Sequence, residues 1–258
     1  MGFSFASVVL SYFLIAGGTF FTMLLALRLG LHSEYLGYII LAAGGFLGGM
    51  VAARASKGST IIEPAIGAVL LLASFIGVGL AVSGKDVSVV VLPGTMKAIG
   101  LTALASAGGG IGGAFMTEKM FGDENASGAS WVLFVALAAV GAGIIGTLFG
   151  GVLAKGDAGN TIFGLIAVCT LFIGIATGAS ATSRPLGASF LGGAIGVGGF
   201  FFLAIYLLLS MFSDKSHGAG DIPSVVYAGI AVVAVGAGIV TLIGALFGWA
   251  IVGSKQNA

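Results

Sequence analysis

Arg54, Lys57 and Glu63 fall within ten residues of one another at the junction of two apolar runs, with Pro64 directly after the acid. Proline suits the first turn of a helix, and a carboxylate there faces the positive end of the helix dipole. The plain reading is a helix start at Glu63-Pro64 whose acid pairs with Arg54. The sharper reading is a surface site built from Arg54, Lys57 and Glu63, repeated in altered form at Arg184-Pro185.

Two stretches match the dinucleotide fingerprint Gly-x-Gly-x-x-Gly, one at Gly108, Gly110 and Gly113 and the other at Gly141, Gly143 and Gly146. That motif holds a pyrophosphate only where a strand turns into a helix, with an acid about 20 residues on. Both stretches lie inside apolar runs, so no nucleotide site is expected. His32 and His217 fall in connecting segments, too few for a zinc site, and the single cysteine, Cys169, is a small apolar-run residue. No nucleophile and base pattern occurs. The reading therefore assigns no catalytic residue, cofactor or metal. Thr177, Ser180, Thr182 and Ser183 crowd hydroxyls at the end of one run, for helix-to-helix hydrogen bonds or a hydrophilic vestibule. Asn125-Ala126-Ser127 matches a glycosylation sequon.

The elements that must position these residues follow from composition. The chain is 258 residues long, 58% hydrophobic and 7% charged, where soluble domains carry about 25% charge. Apolar runs of about 20 residues recur throughout, each able to cross a hydrocarbon core of roughly 30 Å as a helix. Continuous runs exclude a barrel of alternating strands, and a net charge of +1 provides no field for nucleic acid. The fold class is an all-α polytopic membrane protein. Breaks at Gly, Pro, Ser and charges predict eight transmembrane helices, at about 7–28, 35–54, 60–83, 97–117, 130–154, 160–182, 186–212 and 224–252. The first run lacks a basic leader segment and reads as a span rather than a signal peptide.

Small residues recur one helical turn apart on six of these spans. The pairs are Gly44 and Gly48, Gly45 and Gly49, Gly108 and Gly112, Gly109 and Gly113, Gly146 and Gly150, Gly174 and Gly178, Gly192 and Gly196, and Gly244 and Gly248. Lipid removes the hydrophobic drive between helices, so close backbone approach along such faces is what holds them. These glycines are expected to be helix-packing surface.

A shift of 129 residues, half the length, superposes Gly17 on Gly146 and Ala65-Ile66-Gly67 on Ala194-Ile195-Gly196. The expectation is two four-helix repeats, 1–122 and 123–258, in one membrane domain. An even number of spans per repeat makes them parallel, related by an axis along the membrane normal. Lys and Arg divide five to five between the two sides; the early Arg54 and Lys57 pair favours both termini in the cytoplasm.

The pieces GGFLGGMVAARASKG, EPAIGA and SAGGGIGGAF give the first half a resemblance to a family of small four-span bacterial membrane proteins of uncharacterised function. The EP before AIGA departs from that pattern, and the second half lacks the basic turn apart from Arg184. The resemblance implies a duplicated eight-span architecture in a bacterial cytoplasmic membrane, and it carries over no site residues. With packing faces abundant and intramembrane charge almost absent, the expected role is non-enzymatic: a scaffold or accessory subunit of a membrane complex. Its expected partners are the lipid bilayer and other membrane subunits or a second copy, not nucleic acid. The alternative is a channel or carrier for a small neutral or apolar solute between the repeats.

Overall fold

The computed structural model of the chain describes residues 4–29, 34–55, 62–82, 108–109, 111–113, 115–116, 128–154, 158–180, 186–212 and 224–256. Every regular element among them is helical, as lipid requires of a chain that must satisfy its own backbone groups. The helices are α1 (Phe5–Arg28), α2 (Glu34–Ala55), α3 (Ile62–Val82), α4 (Gly128–Leu153), α5 (Ala158–Ser180), α6 (Leu186–Phe212) and α7 (Ser224–Gln256). Further helical residues lie within 108–116. Five helices are long and apolar enough to cross a membrane, over Phe5–Thr22, Ser130–Leu153, Ala158–Ser180, Leu186–Tyr206 and Ser224–Val252; the apolar stretch of α3, Ile62–Val78, is shorter. The helices fit an integral membrane protein.

Helix α1 is the centre. Ser4 caps it by accepting the Ser7 amide on Oγ at 3.3 Å. Its Leu10, Leu14 and Ile15 are fully buried and meet Leu71 of α3, Val135 of α4 and Ile173 of α5 in one core. Outward residues such as Leu133, Val225, Val232 and Phe247 are exposed, the distribution of a bundle whose solvent is hydrocarbon.

Contacts give each helix its direction. Gly48 of α2 abuts Ile15 and Gly44 abuts Thr19, so α2 runs against α1. Ser4 meets Glu63 and Ser11 meets Gly67, so α3 runs with α1. In the second half, Gly146 meets Ile166 and Gly150 meets Ile162, so α5 runs against α4. Gly192 meets Val135 and Gly196 meets Ala139, so α6 runs with α4. Gly174 meets Gly244 and Gly248 meets Ile175, so α7 runs with α5.

Helices α1 and α4 touch through backbone. A Cβ on Gly17 would strike the Leu137 carbonyl, and one on Gly141 would strike the Phe13 carbonyl. Phe149, eight residues after Gly141, lines the same cavity as Phe5, eight residues before Phe13. Eight residues are about 12 Å of helix, so numbering rises along α4 as it falls along α1. The two helices are antiparallel. This differs from the parallel relation expected above, which counted 97–117 as a full crossing between them. The helical residues within 108–116 run alongside α2, Gly109 on Ala42 and Gly113 on Phe46. With α1 to α3 alternating, opposite directions for α1 and α4 require an even number of crossings between α3 and α4, where residues 83–107 and 117–127 lie outside the described residues.

Candidate functional site

Glu63 enters the first turn of α3 beside the buried Pro64, and is itself only 2% exposed. Its Oε1 accepts the Ser4 backbone amide at 2.8 Å, and its Oε2 has no hydrogen-bond partner among the described residues. The acid thus meets the start of α1, where orphan amides and the helix dipole favour an anion. Arg54 occupies the last turn of α2 and is partly buried, with contacts of its own. Lys57 and Arg184 lie outside the described residues, as do His32, His217, Thr182, Ser183 and Asn125. What the acid does here is join two helix starts. Glu63→Ala is expected to lower stability by about 1–3 kcal/mol by leaving a buried amide unpaired, while Glu63→Gln retains a carbonyl acceptor and loses less. Thermal unfolding in detergent compares them; equal losses in the two variants would remove the Ser4 bond as the cause.

The paired glycines face neighbouring backbones. Gly44 and Gly48 lie on α1, Gly146 and Gly150 on α5, Gly192 and Gly196 on α4, and Gly174 and Gly178 on α7 at Thr241 and Ala245. Gly244 and Gly248 return the contact to α5 at Leu171 and Ile175, and Gly109 and Gly113 sit on α2. Gly45 and Gly49 are buried, a Cβ on Gly112 would meet only the Phe46 ring, at 3.7 Å, and Gly108 faces open space. Sequence reasoning missed Gly17 and Gly141, because neither has a glycine partner one turn away on its own helix. Gly141 and Gly143 of the fingerprint-like stretch pack on Phe13 and on the Phe200 ring, which leaves no room for a pyrophosphate.

Half of the buried hydroxyls bond their own helix, whereas those of Ser7, Thr19, Ser180 and Ser189 have no partner among the described residues. Thr177 donates to the Ile173 carbonyl at 2.8 Å, Thr241 to Ala237 at 2.7 Å and Thr170 to Ile166 at 3.0 Å. Ser180, the other described hydroxyl of the predicted cluster, is buried without a partner among the described residues. Cys169 is partly buried at the edge of the core, its thiol free. No group of three or more metal-binding side chains occurs among the described residues.

A cavity of about 570 Å³ lies between α1, α3, α4 and α5, within the 300–1,000 Å³ typical of small-molecule sites. Phe13 is buried at its base, whereas Phe5, Leu70 and Phe172 are exposed at its edge, so it opens on the outer face of the bundle. Its one polar feature is a bond between helices, Tyr12 Oη to Ser74 Oγ at 2.9 Å. Comparison of the chain with protein-family models, with curated proteins and with solved structures finds no match.

Proposed function

We propose that the chain is a non-enzymatic, multi-pass membrane protein that acts as a close-packed scaffold or accessory subunit in a membrane complex. The observation that supports this best is backbone-to-backbone contact through glycine on every major helix pair, above all Gly17 and Gly141 at the centre. Such packing makes a rigid body with an apolar exterior, suited to presenting a fixed surface to a neighbour. The lipid environment is a bacterial cytoplasmic membrane on the resemblance to small four-span proteins. Purification from native membranes is expected to recover a partner subunit, or a second copy, in fixed ratio. Recovery as a lone monomer in mild detergent would sink the proposal.

The internal repeat belongs to the same proposal, with its sense changed. Helix α4 takes the place of α1, α5 that of α2, α6 that of α3, and α7 packs on α5 as 108–116 pack on α2. Gly17 corresponds to Gly141, 124 residues on; Gly67 on Ser11 corresponds to Gly192 on Val135, 125 and 124 residues on. That is about five residues short of the 129 read from the ungapped sequence. A two-fold axis across the helices, in the membrane plane, relates antiparallel halves. The crossings are then α1 to α7, seven rather than eight, and Ser4 and Gln256 end on opposite sides.

The channel or carrier reading meets an obstacle at that axis, where α1 and α4 touch and leave no path. What favours it is the cavity, which has α1 and α3 of the first half on one wall and α4 and α5 of the second on the other.

A further inference from the structure

We propose that the cavity between α1, α3, α4 and α5 is a binding site for a lipid-soluble alcohol, its apolar body against an aromatic wall and its hydroxyl donating to Tyr12 Oη. The wall is unusually rich in rings for one cavity: Phe5, Tyr12 and Phe13 from α1, Phe149 from α4 and Phe172 from α5. Tyr12 and Phe13 meet edge to face at 4.9 Å, which sets the Tyr12 ring upright toward α3. Because the mouth opens on the lipid-facing side, entry is from the bilayer, and a charged or strongly hydrated molecule is excluded.

The polar pair selects the ligand's functional group. Ser74 has one hydroxyl proton, and it is donated to the Leu70 carbonyl at 2.9 Å. Tyr12 must then donate its own proton to Ser74 Oγ, at 2.9 Å. What Tyr12 retains toward the cavity is acceptor capacity, since a phenolic oxygen also carries lone pairs. A ligand hydroxyl can donate there; an ether, ketone or ester of the same body cannot.

The pair is not something the packing of the repeat demands. At the corresponding positions of the other half, 12 plus 124 and 74 plus 125, stand Ala136 and Gly199, with no hydroxyl at either. An added Cβ on Gly199 meets no atom within 4 Å, so nothing polar or aromatic stands in for the pair there. One side of the α1 and α4 crossing thus lacks the hydroxyl pair, and the other is hollow, ring-lined and supplied with an acceptor. Occupancy of the hollow side does not depend on whether the chain has a partner subunit.

The test uses the purified full-length protein in lipid nanodiscs and a long-chain primary alcohol carrying a diazirine in its tail. Photolabelling is expected on peptides containing Tyr12 or Phe172. The unlabelled alcohol should compete at least tenfold better than its methyl ether, and Tyr12→Phe should weaken labelling about tenfold. Straight-chain and isoprenoid alcohols serve as separate competitors; whichever outcompetes its own ether identifies the source of the hydroxyl. Ala73→Phe puts a ring into the mouth from an exposed position and should abolish labelling while leaving the unfolding midpoint unchanged. In Ser74→Ala the Tyr12 proton is released toward the cavity, so the ether should close to within about twofold of the alcohol. If the ether competes as well as the alcohol in the wild-type protein, or Tyr12→Phe labels as strongly as wild type, hydrocarbon alone fills the space and the proposal fails.

Discussion

Gly141→Leu is expected to lower the stability of the bundle by about 3 kcal/mol or more, the upper part of the range for overpacking a filled interior. The reason is what the new side chain meets. A Cβ at this position runs into the Phe13 carbonyl, a backbone atom that cannot rotate away. Helices α1 and α4 must separate, and α1 carries the contacts to α2, α3 and α5 with it. In a chain of this size such a loss corresponds to a fall of roughly 6–12 °C in the unfolding midpoint, measurable by fluorescence-detected size exclusion after heating. Gly229→Ala, on the outer face of α7 with no atom within 4 Å of the added Cβ, is the control and should be neutral or slightly stabilising. The reciprocal contact also predicts coupling. Gly17→Ala and Gly141→Ala push the same two helices apart, so the double variant should cost less than the sum of the singles by at least about 0.5 kcal/mol. Additivity would mean that the two glycines do not share one crossing.

The second large effect is one of sidedness. In a Cys169→Ser background, Gly2→Cys and Asn257→Cys supply one thiol each near opposite ends of the chain. A membrane-impermeant maleimide added to intact cells is expected to label only one of them. On the proposed seven crossings, Arg54, Lys57, Lys155 and Lys215 would share the side of residue 2, and Arg28, Lys85, Lys97, Lys119, Arg184 and Lys255 the other. The bias of six to four toward the second side would then put residue 257 in the cytoplasm and residue 2 outside, so the Gly2→Cys thiol should be the one that reacts. Labelling of both, or of neither until the cells are opened, would restore an even number of crossings and a parallel relation between the halves.

Much of this protein was legible from local properties. Runs such as residues 130–154 and 224–252 are apolar on all sides, and only a helix in lipid can bury such a run without orphaning its backbone. Helix ends were equally readable: Pro64 with Glu63 starts α3, and Arg54 closes α2. The glycine pairs marked faces able to approach a neighbour because the property involved, the missing side chain, belongs to the residue itself.

Which neighbour is met, and in which direction, depends on residues far apart in the chain, and only the tertiary structure decided it. Gly17 and Gly141 each look like an isolated small residue, and become the central contact only when α1 and α4 cross antiparallel. Counting apolar runs could not reveal this, since 97–117 has a composition suited to a crossing and its direction relative to α4 is not a local property. Glu63 shows the same division. Its place at a helix start follows from Pro64, but its partner, the Ser4 amide 59 residues away, is set by packing. The cavity is the extreme case, because an absence of atoms between four helices leaves no trace in any one of them. By itself the sequence determined a helical membrane protein with smooth faces; tertiary packing decided the order and sense of the helices, and left a ring-lined space between α1, α3, α4 and α5.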